Sequence, residues 1–529
     1  MNAMRGKTPL IAALLILALF LAFLSTGFQS SGNRMGFFAV LLAGAGLILL
    51  VLRLLALEPI PGWLSRLTFG AAILRLLAGT LWFTLLPVYG YDTPVQQAGY
   101  IMEDAYPRDS AAWELAGSGR PLASAFSQYR GVDQYGGLLF LSAGVYRLVG
   151  ESSHTPLLIV ILTASISALA VPITWAFTRR FWDDQTAALA AWGLALYPEA
   201  VLLGSSQMRE AFMVTFAAAG FFGLAVFLRT QERRGAAWLA GAVTFSLPLS
   251  PPLAAILVGL LALLAAGLGH LSFLRNKRFW AILLGLAILV VGGLWLGWKG
   301  IAPRLSLEQF SNPLALLAHW AETSARWQRQ LTENASGWVQ RVFAATPEWS
   351  HTPILLAYGV SLPLLPAQLI AWSVPLWWGI GVWRAVGWTI LLPLLVYAPL
   401  RILRESRNRG LMLAVGLAAW LTVLIASYWG GGDLWDNPRY RVSFSALQIG
   451  LAAWTVTAQL RRPDPWMRRA LVSAGLILAW FVPWYLRRYT AFDLIFGWTV
   501  IDVFKLLGLG VASAALYIVW DWVGKRKTV

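Results

Sequence analysis

The sequence contains no cysteine, so disulfide bonds and thiolate metal sites are excluded. Histidine is scarce as well, and the four histidines are scattered without the spacing of metal ligands: His154, His270, His319 and His351. Low-complexity tracts, long linkers rich in Pro, Gly or Ser, and visible internal repeats are also missing. These absences favour one integral domain.

Charged residues are few: they make up 12% of the 529 residues, whereas 58% are hydrophobic. A soluble chain ordinarily carries about 25% charged residues. Apolar runs of about 18 residues or more, long enough to cross a bilayer as a helix, recur from end to end. The sequence therefore predicts an all-α polytopic integral membrane protein with about 12–14 transmembrane helices. The runs lie at 9–27, 36–57, 68–88, 155–178, 186–203, 210–228, 252–272, 279–297, 383–400, 411–428, 442–460 and 498–520, with shorter candidates at 237–249 and 470–486.

Basic residues account for the net charge of +17, and they cluster between the apolar runs: at 5–7, 179–180, 229–234, 275–278, 401–409, 461–469 and 525–527. If these clusters face the cytoplasm, both termini are cytoplasmic and every second loop is external. The external segments are then 91–137, 204–209, 298–352, 429–441 and 487–497. We therefore expect a multi-pass protein of a prokaryotic (inner) cell membrane that contacts membrane lipids and does not bind nucleic acid.

The segment 91–137, here called the acidic loop, carries six of the 24 carboxylates. Its sequence predicts a short helix that begins near Asp109, in the N-cap position. An apolar helix too short to span a membrane then leads to Tyr146-Arg147-Leu148-Val149-Gly150. Such a loop forms a shelf at the membrane face, where a group from the water phase and a lipid headgroup can meet. The second polar excursion, 298–352, predicts external amphipathic helices.

Several short motifs resemble those of the GT-C superfamily of polyprenyl-phosphate-dependent glycosyltransferases, which includes protein O-mannosyltransferases and aminoarabinose transferases. They are the stretch from Asp109 to Ala116, the Tyr146-to-Gly150 motif, the passage from Tyr197-Pro198 to Arg209-Glu210, and Arg439-Tyr440-Arg441 at a helix start. The resemblance implies a GT-C-like helical bundle with external juxtamembrane helices, covering roughly residues 68–460. Residues 61–529 would form this domain, and residues 1–60 an added transmembrane hairpin.

The chain departs from the superfamily pattern at two places. Ser110 follows Asp109 where many members have a second acid, and Arg209 precedes Glu210 where a small residue is usual. These departures leave the donor and the acceptor open.

The resemblance implies one general base and a set of phosphate-binding cations. Asp109 is the predicted base, with Glu210 as a second catalytic acid. The predicted phosphate-binding residues are Arg209, Arg439, Tyr440 and Arg441. Asp104 and Asp133 are alternatives to Asp109, and a divalent ion between Asp109 and Glu210 stays open, with no other cofactor expected. A structural Arg209–Glu210 ion pair and snorkelling of Arg439 and Arg441 to headgroups are the competing interpretations.

Three classes of function fit these patterns. The first is an inverting transferase that moves a sugar from a lipid-linked donor to an external protein, glycolipid or glycan. The second is an O-antigen-type ligase or polymerase that uses His319, Arg326 and Arg329 in segment 298–352. The third is a transporter or flippase, which should have broken helices or buried charges in matching repeats.

Overall fold

The structure is a computed structural model that describes residues 8–56, 59–129, 131–150, 153–230, 233–267, 337–404, 409–430, 437–490 and 502–526. Between 268 and 336 it also describes residues 295, 298, 302, 309–316 and 318–319. The protein is an all-α polytopic membrane protein, as predicted, and the described residues include no strand.

The helices alternate between long apolar rods and short segments. The α-helices of the first half are α1 (Thr8–Ser25), α2 (Arg34–Leu55), α3 (Gly62–Tyr89), α4 (Pro94–Gln97), α5 (Ala105–Gly117), α6 (Gly137–Val149), α7 (Leu157–Phe181), α8 (Asp184–Leu196), α9 (Pro198–Gly204), α10 (Arg209–Thr230), α11 (Arg233–Ser246) and α12 (Pro251–Gly267). Those that follow are α13 (Gly337–Ala344), α14 (Glu348–Ser361), α15 (Leu365–Ile370), α16 (Pro375–Arg404), α17 (Arg409–Trp429), α18 (Ser445–Arg461), α19 (Pro465–Tyr489) and α20 (Val503–Arg526). Two 3₁₀ segments, Leu122–Phe126 and Asn437–Phe444, complete the described elements.

Eight of the described helices are long and apolar enough to cross a membrane: α2, α3, α7, α10, α16, α17, α19 and α20. The bent pair α8–α9 makes nine if it is one span. The sequence predicted about 12–14 spans. The difference has two sources: the predicted span at 279–297 lies outside the described residues, and several described helices are too short. The short ones are α11 with 14 residues, α12 with 17 and α18 with 17, together with the apolar part of α1, Ile11–Ser25.

Helices α7 and α10 form the centre of the bundle, because 89% of the apolar window of each is buried inside the protein. Their neighbours α8 and α18 are rich in alanine, which lets the helices approach closely. Chain direction then separates two ends. The start of α10 and the 3₁₀ segment Asn437–Phe444 lie at one, here called the site end. At the opposite end, Arg461 of α18 donates to Asp183, which precedes α8, at 2.7 Å.

The acidic loop is folded over the site end by its own caps. The carboxylate of Asp133 accepts the backbone N–H groups of Tyr135 and Leu139, and so begins α6. Gly136 has a φ of +78°, which favours glycine. A Cβ on Gly137 would lie 2.1 Å from the carbonyl oxygen of Pro248, so only glycine lets the loop rest on the turn between α11 and α12. The loop is therefore tied to a turn more than a hundred residues later.

The span made by α8 and α9 is broken by 54° at Tyr197 and Pro198. Proline begins α9 because it lacks the N–H that the preceding helix would need. The guanidinium of the fully buried Arg75 donates to the carbonyl oxygens of Leu194 and Ala195, at 3.3 and 3.4 Å. This contact satisfies the carbonyl groups that the break releases, which matters where no water is available.

Two further predictions concern the division of the chain near residue 60 and the second polar excursion, 298–352. The division into residues 1–60 and 61–529 stays a prediction, although α2 packs on α7. Of segment 298–352, the described residues include α13 and the beginning of α14, and most of the remainder lies outside the described residues.

Candidate functional site

An ion pair between the acidic loop and a late segment of the chain marks the site. Nη2 of Arg439 donates to Oδ2 of Asp104 at 2.7 Å. Asp104 stands just before α5, and its side chain is 49% exposed, whereas that of Arg439 is 8% exposed. The carboxylate therefore faces solvent, and the guanidinium behind it is held in the protein.

Glu210 lies on the other side of Arg439, in the first turn of α10. Its Oε1 atom is 3.9 Å from Nε of Arg439 and 4.0 Å from Nε of Arg209. Its side chain is 1% exposed, and Oε2 has no hydrogen-bond partner among the described residues. A buried carboxylate at this position draws two guanidinium groups together, which would otherwise repel each other.

Arg108 adds a third cation, one turn along α5 from Asp104. Its Nη1 donates to the carbonyl oxygen of Gln207 at 3.2 Å, and its Nε is 3.9 Å from Oδ2 of Asp133. The guanidinium of Arg209 stands 5.1 Å from the centre of the Tyr135 ring. Arg108, Arg209 and Arg439, here called the arginine cluster, thus face three carboxylates: Asp104, Asp133 and Glu210.

The charges around Asp104 act on its ionisation in opposite directions. Burial raises the pKa of this carboxyl, but the positive charges of Arg439, Arg108 and Arg209 outweigh burial and lower the pKa overall. Asp104 is therefore ionised at neutral pH. The pKa of Tyr135 is raised, chiefly by burial, so its hydroxyl stays protonated and remains a donor.

Asp109, the predicted base, lies inside a cage of donors. The hydroxyl of Tyr100 donates to Oδ2 at 2.6 Å, and that of Tyr146 lies 2.8 Å from both carboxylate oxygens. Nε2 of His154 stands 2.9 Å from Oδ2, and the ring of Trp113 stacks on the His154 ring. The side chain of Asp109 has no exposed surface. In this arrangement it joins α5, α6 and the start of α7 and does not face the solvent.

The N-cap prediction for Asp109 is wrong. The helix begins four residues earlier, at Ala105, with Asp104 in the N-cap position, although the Asp104 side chain makes no capping hydrogen bond. Asp109 is an interior residue of α5. Pro107 is the third residue of this helix, and a proline fits there because the first turn needs no N–H from it.

The other predicted residues divide into two groups. Asp133, Arg209, Glu210 and Arg439 come together, and the Tyr440 hydroxyl accepts a hydrogen bond from Nη2 of Arg439 at 3.3 Å. Arg441 points elsewhere: its guanidinium lies 3.7 Å from the ring centre of Trp388 and donates to carbonyl oxygens of residues 359, 360 and 362. Arg326 and Arg329 lie outside the described residues, and His319 contacts Phe310.

A divalent ion shared by Asp109 and Glu210 does not fit these contacts. Hydroxyl groups and an imidazole occupy the oxygens of Asp109. Across the described ranges, no group of three or more acidic or histidine side chains is arranged to hold a metal.

A cavity of about 560 Å³ adjoins the Asp104–Arg439 pair. Glu103 and Pro438, the sequence neighbours of the pair, belong to its wall. Aromatic side chains from the acidic loop and from α16 form much of the remainder, and Arg384 is also part of the wall. Arg384 is itself held by Glu199 through two contacts, of 2.8 and 2.7 Å. We call this space the aromatic cavity.

Sequence reasoning missed Glu103, Arg108, the donors around Asp109 and the aromatic cavity. For Glu103 a signal was present. Glu103 and Asp104 are two adjacent acids, and many superfamily members have such a pair where this chain has Asp109 and Ser110. Tyr146 begins one of the motifs that support the resemblance, but the motif did not point to a contact with Asp109. Arg108 is a buried residue of α5, and sequence alone gives no reason to single it out.

No family model matches the chain, and no curated protein sequence matches it either. Among solved structures it is similar to the archaeal oligosaccharyltransferase AglB from Archaeoglobus fulgidus in complex with an inhibitory peptide and a dolichol-phosphate. The identity is 12%, the TM-score 0.38, and the match covers 84% of this chain and 56% of that chain.

Two further structures of the Archaeoglobus fulgidus oligosaccharyltransferase give similar values. The form tethered to an acceptor peptide with the NVT sequon is 12% identical, with a TM-score of 0.38 and coverage of 85% of this chain and 54% of that chain. The apo form is 13% identical, with a TM-score of 0.37 and coverage of 84% and 56%. The chain thus spans about half the length of these structures.

Proposed function

We propose that the chain is a membrane glycosyltransferase that moves a sugar from a lipid-linked donor, such as a polyprenyl phosphate sugar, to an acceptor by inverting displacement. The Asp104–Arg439 ion pair is the observation that carries this proposal. It places a solvent-facing carboxylate against the buried guanidinium of Arg439, which belongs to the arginine cluster. The sequence neighbours of this pair border the aromatic cavity. A general base and a phosphate-binding cation are the two groups that such a transfer requires.

Asp104 acts as the general base in this proposal. It is ionised and half exposed, and its sequence neighbour Glu103 lines the aromatic cavity, whereas Asp109 is enclosed. The acceptor hydroxyl gives its proton to Asp104 as its oxygen forms a bond to the anomeric carbon. The bond from that carbon to the phosphate oxygen breaks, and its electrons stay on the lipid phosphate. Attack from the face opposite the phosphate inverts the anomeric centre.

The arginine cluster stabilises the departing phosphate. Arg439 and Arg209 carry their charges on forks that match phosphate oxygens, and buried positions strengthen this interaction. When Arg439 turns toward a phosphate, Asp104 loses its nearest positive charge. Its pKa then rises, because Arg439 is the largest of the positive charges that lower it, ahead of Arg108 and Arg209. Binding of the donor therefore converts Asp104 into a stronger base.

Asp109 and Glu210 support these groups. The cage around Asp109 fixes α5, the helix that carries Arg108 and begins directly after Asp104. Glu210 holds Arg209 and Arg439 at one place before a phosphate arrives.

We further propose that the site end faces outward and that both termini are cytoplasmic. Basic residues at the opposite end support this orientation, including Arg179, Arg461 and Arg462. The neighbouring oligosaccharyltransferase structures contain a dolichol-phosphate or an acceptor peptide. For this chain the corresponding partners would be a lipid-linked donor in the membrane and a protein, glycolipid or glycan as acceptor, in a prokaryotic cell membrane.

The test is release of lipid phosphate by the purified protein from a polyprenyl phosphate sugar in the presence of an acceptor extract. Asp104→Asn should lower kcat by at least about 100-fold, the usual contribution of a general base. Asp92→Asn is the matched control, because Asp92 is an exposed acid of the same loop. Full turnover by Asp104→Asn together with loss in Asp109→Asn would return the base to Asp109. Absence of any transfer by the wild-type protein across lipid-linked sugars would overturn the function.

One observation favours a second function, movement of a lipid-linked substrate across the membrane. The broken span α8–α9 and the buried Arg75 are features that transporters share. Flux of a labelled lipid-linked sugar in proteoliposomes, without any covalent transfer, would support this function over the transferase.

A further inference from the structure

Aromatic rings form much of the wall of the aromatic cavity. On one side, the rings of Tyr91 and Trp377 stack with centres 6.4 Å apart and an angle of 23°. Trp372 also lines the cavity, and its ring stacks on that of Trp378, outside the wall, at 5.0 Å and 5°. Trp372 and Tyr91 are 73% and 43% exposed, so their rings are available to a ligand.

Amide groups hold these rings in place and border the cavity. Oε1 of Gln96 accepts from Nε1 of Trp377 at 2.9 Å and from the backbone N–H of Tyr91 at 2.5 Å. Gln96 therefore fixes the stacked pair on the loop side. Gln368 lies across the cavity beside Gly381, where a Cβ would lie 2.6 Å from Oε1 of Gln368. The wall thus combines flat rings with hydrogen-bonding amides.

The charged residues of the cavity wall carry no net positive charge, which disfavours a phosphate in the cavity. Arg384 is paired with Glu199, both side chains being 4% exposed, so this pair is neutral as a unit. Glu103 adds a negative charge to the wall. The arginine cluster supplies the positive charges of the site, and none of its three members belongs to this wall. Anions are thus favoured beside Asp104, and uncharged groups are favoured in the cavity.

We propose that the aromatic cavity binds a pyranose ring of an uncharged saccharide, an inference that rests on the proposed glycosyl transfer. One face of a pyranose carries C–H groups, which are slightly positive and pack on the negative face of an aromatic ring. The ring edge carries hydroxyl groups, which amides and carboxylates bind. A volume of about 560 Å³ falls within the usual range for small-molecule pockets. A saccharide placed there presents a hydroxyl or an anomeric carbon to Asp104.

Binding is measured first without any reaction, on the full chain in lipid nanodiscs. Saturation-transfer NMR with methyl glycosides of several hexoses reports which sugar binds and how tightly. We expect Trp377→Ala and Trp372→Ala each to raise its dissociation constant about tenfold, the loss of one good ring contact. Trp349→Ala is the control, because Trp349 is 79% exposed and does not line the cavity. Binding of a polyprenyl phosphate without sugar should not change in either variant.

The Trp372 variant is expected to fold, because this side chain lies at the surface. Trp372 is largely exposed, so its removal leaves the buried core intact, and Trp377→Phe keeps a ring while losing the bond to Gln96. Unchanged glycoside binding in both Trp372→Ala and Trp377→Ala, or no binding by the wild-type protein, would overturn the proposal.

Kinetics then identify the source of the ring and separate the two proposals. If the variants raise KM for the acceptor alone, the ring belongs to an acceptor glycan; if they raise KM for the donor alone, it is the donor sugar. Saccharide binding that depends on Trp377 in a protein without transferase activity would remove the proposed function and leave the binding site. Transferase activity that is insensitive to both tryptophans would do the reverse.

Discussion

Arg439 lies between two carboxylates of opposite exposure: Asp104, which it contacts at 2.7 Å and which faces solvent, and Glu210, which is 3.9 Å away and buried. The guanidinium can therefore move toward a phosphate without losing all of its negative partners. This arrangement links donor binding to the ionisation of Asp104.

The pH dependence of catalysis should show two different acid limbs. Asp104 in the free protein has a pKa below its ordinary value of about 3.9, because the arginine cluster outweighs burial. The acid limb of kcat/KM reports the free enzyme and should lie below about pH 3.9. The acid limb of kcat reports the complex, where Arg439 has turned to phosphate, and should lie at higher pH. Initial rates measured from well below pH 3.9 up to pH 8 check both limbs.

The same group affects stability with a defined sign. A carboxyl whose pKa is lowered on folding contributes stability that is present above its unfolded pKa and is lost as pH falls through the folded pKa. The difference in unfolding midpoint between the wild type and Asp104→Asn should thus be constant above about pH 5 and shrink below about pH 4.

For the kinetic prediction, an acid limb of kcat that lies at or below the acid limb of kcat/KM would contradict the link between donor binding and the ionisation of Asp104.

Asp109→Asn should destabilise the acidic loop. The amide places an N–H₂ donor against the hydroxyl groups of Tyr100 and Tyr146, which stay protonated because burial, followed by the charge of Asp109, raises the pKa of Tyr100. One buried donor is then left unsatisfied, at a cost of about 1–3 kcal/mol. Thermal unfolding in detergent and limited proteolysis of the loop measure the loss.

A role of Asp109 in positioning predicts a specific kinetic result. Asp109→Asn should lower kcat less than Asp104→Asn does, and its acid limb should stay where the wild type has it. Tyr146→Phe combined with Asp109→Asn should cost less than the sum of the single changes, because both disturb the same network. Strict additivity would show that the cage is not one unit.

Glu210→Gln should tighten the binding of the lipid phosphate product. Removing this buried charge gives the site one more net positive charge beside Arg209 and Arg439. The inhibition constant of polyprenyl phosphate should fall several-fold, and its dependence on salt should steepen. Glu114→Gln on α5 serves as a control acid that makes no described ion pair with the cluster. An unchanged inhibition constant would separate Glu210 from the phosphate site.

Arg75→Met should weaken the bundle at the break in α8–α9. The carbonyl oxygens of Leu194 and Ala195 lose their donor in a place that water does not reach. The expected loss is about 2–4 kcal/mol, from more than one unsatisfied carbonyl group. Arg66→Met is the matched control, because Arg66 is exposed on the same helix, α3. The shift of the thermal midpoint relative to that control is the measurement.

The sequence located the segments of the site better than the residues within them. Charged residues in an apolar chain are costly, so those at 91–137, 209–210 and 439–441 were reasonable places to look. Order along the chain could not show that Asp104 and Glu210 share the guanidinium of Arg439, which lies 335 residues after Asp104. That contact depends on the packing of the 3₁₀ segment against α10, which a single sequence does not encode locally.

Two differences between the sequence predictions and the structure have simple geometric causes. The N-cap prediction for Asp109 placed the start of the helix too late, although Pro107 is compatible with the first turn only. The grouping of Arg439 with Arg441 ignored that residues two positions apart do not share a face of a helix. Arg441 consequently points to Trp388, while Arg439 points to the acidic loop.

The contact between Gly137 and the carbonyl of Pro248 governs the order in which the protein can be assembled. At about 5–20 residues per second, the ribosome delivers Pro248 several seconds or more after the loop that rests on it. Arg439 follows Asp104 by 335 residues, or roughly 20–70 s of synthesis. For that interval the acids of the loop stand at the membrane without Arg439, the cation that contacts Asp104. A chain that stops before residue 437 would insert its first spans normally and still lack Arg439, so synthesis of the last fifth of the 529 residues is needed to complete the site.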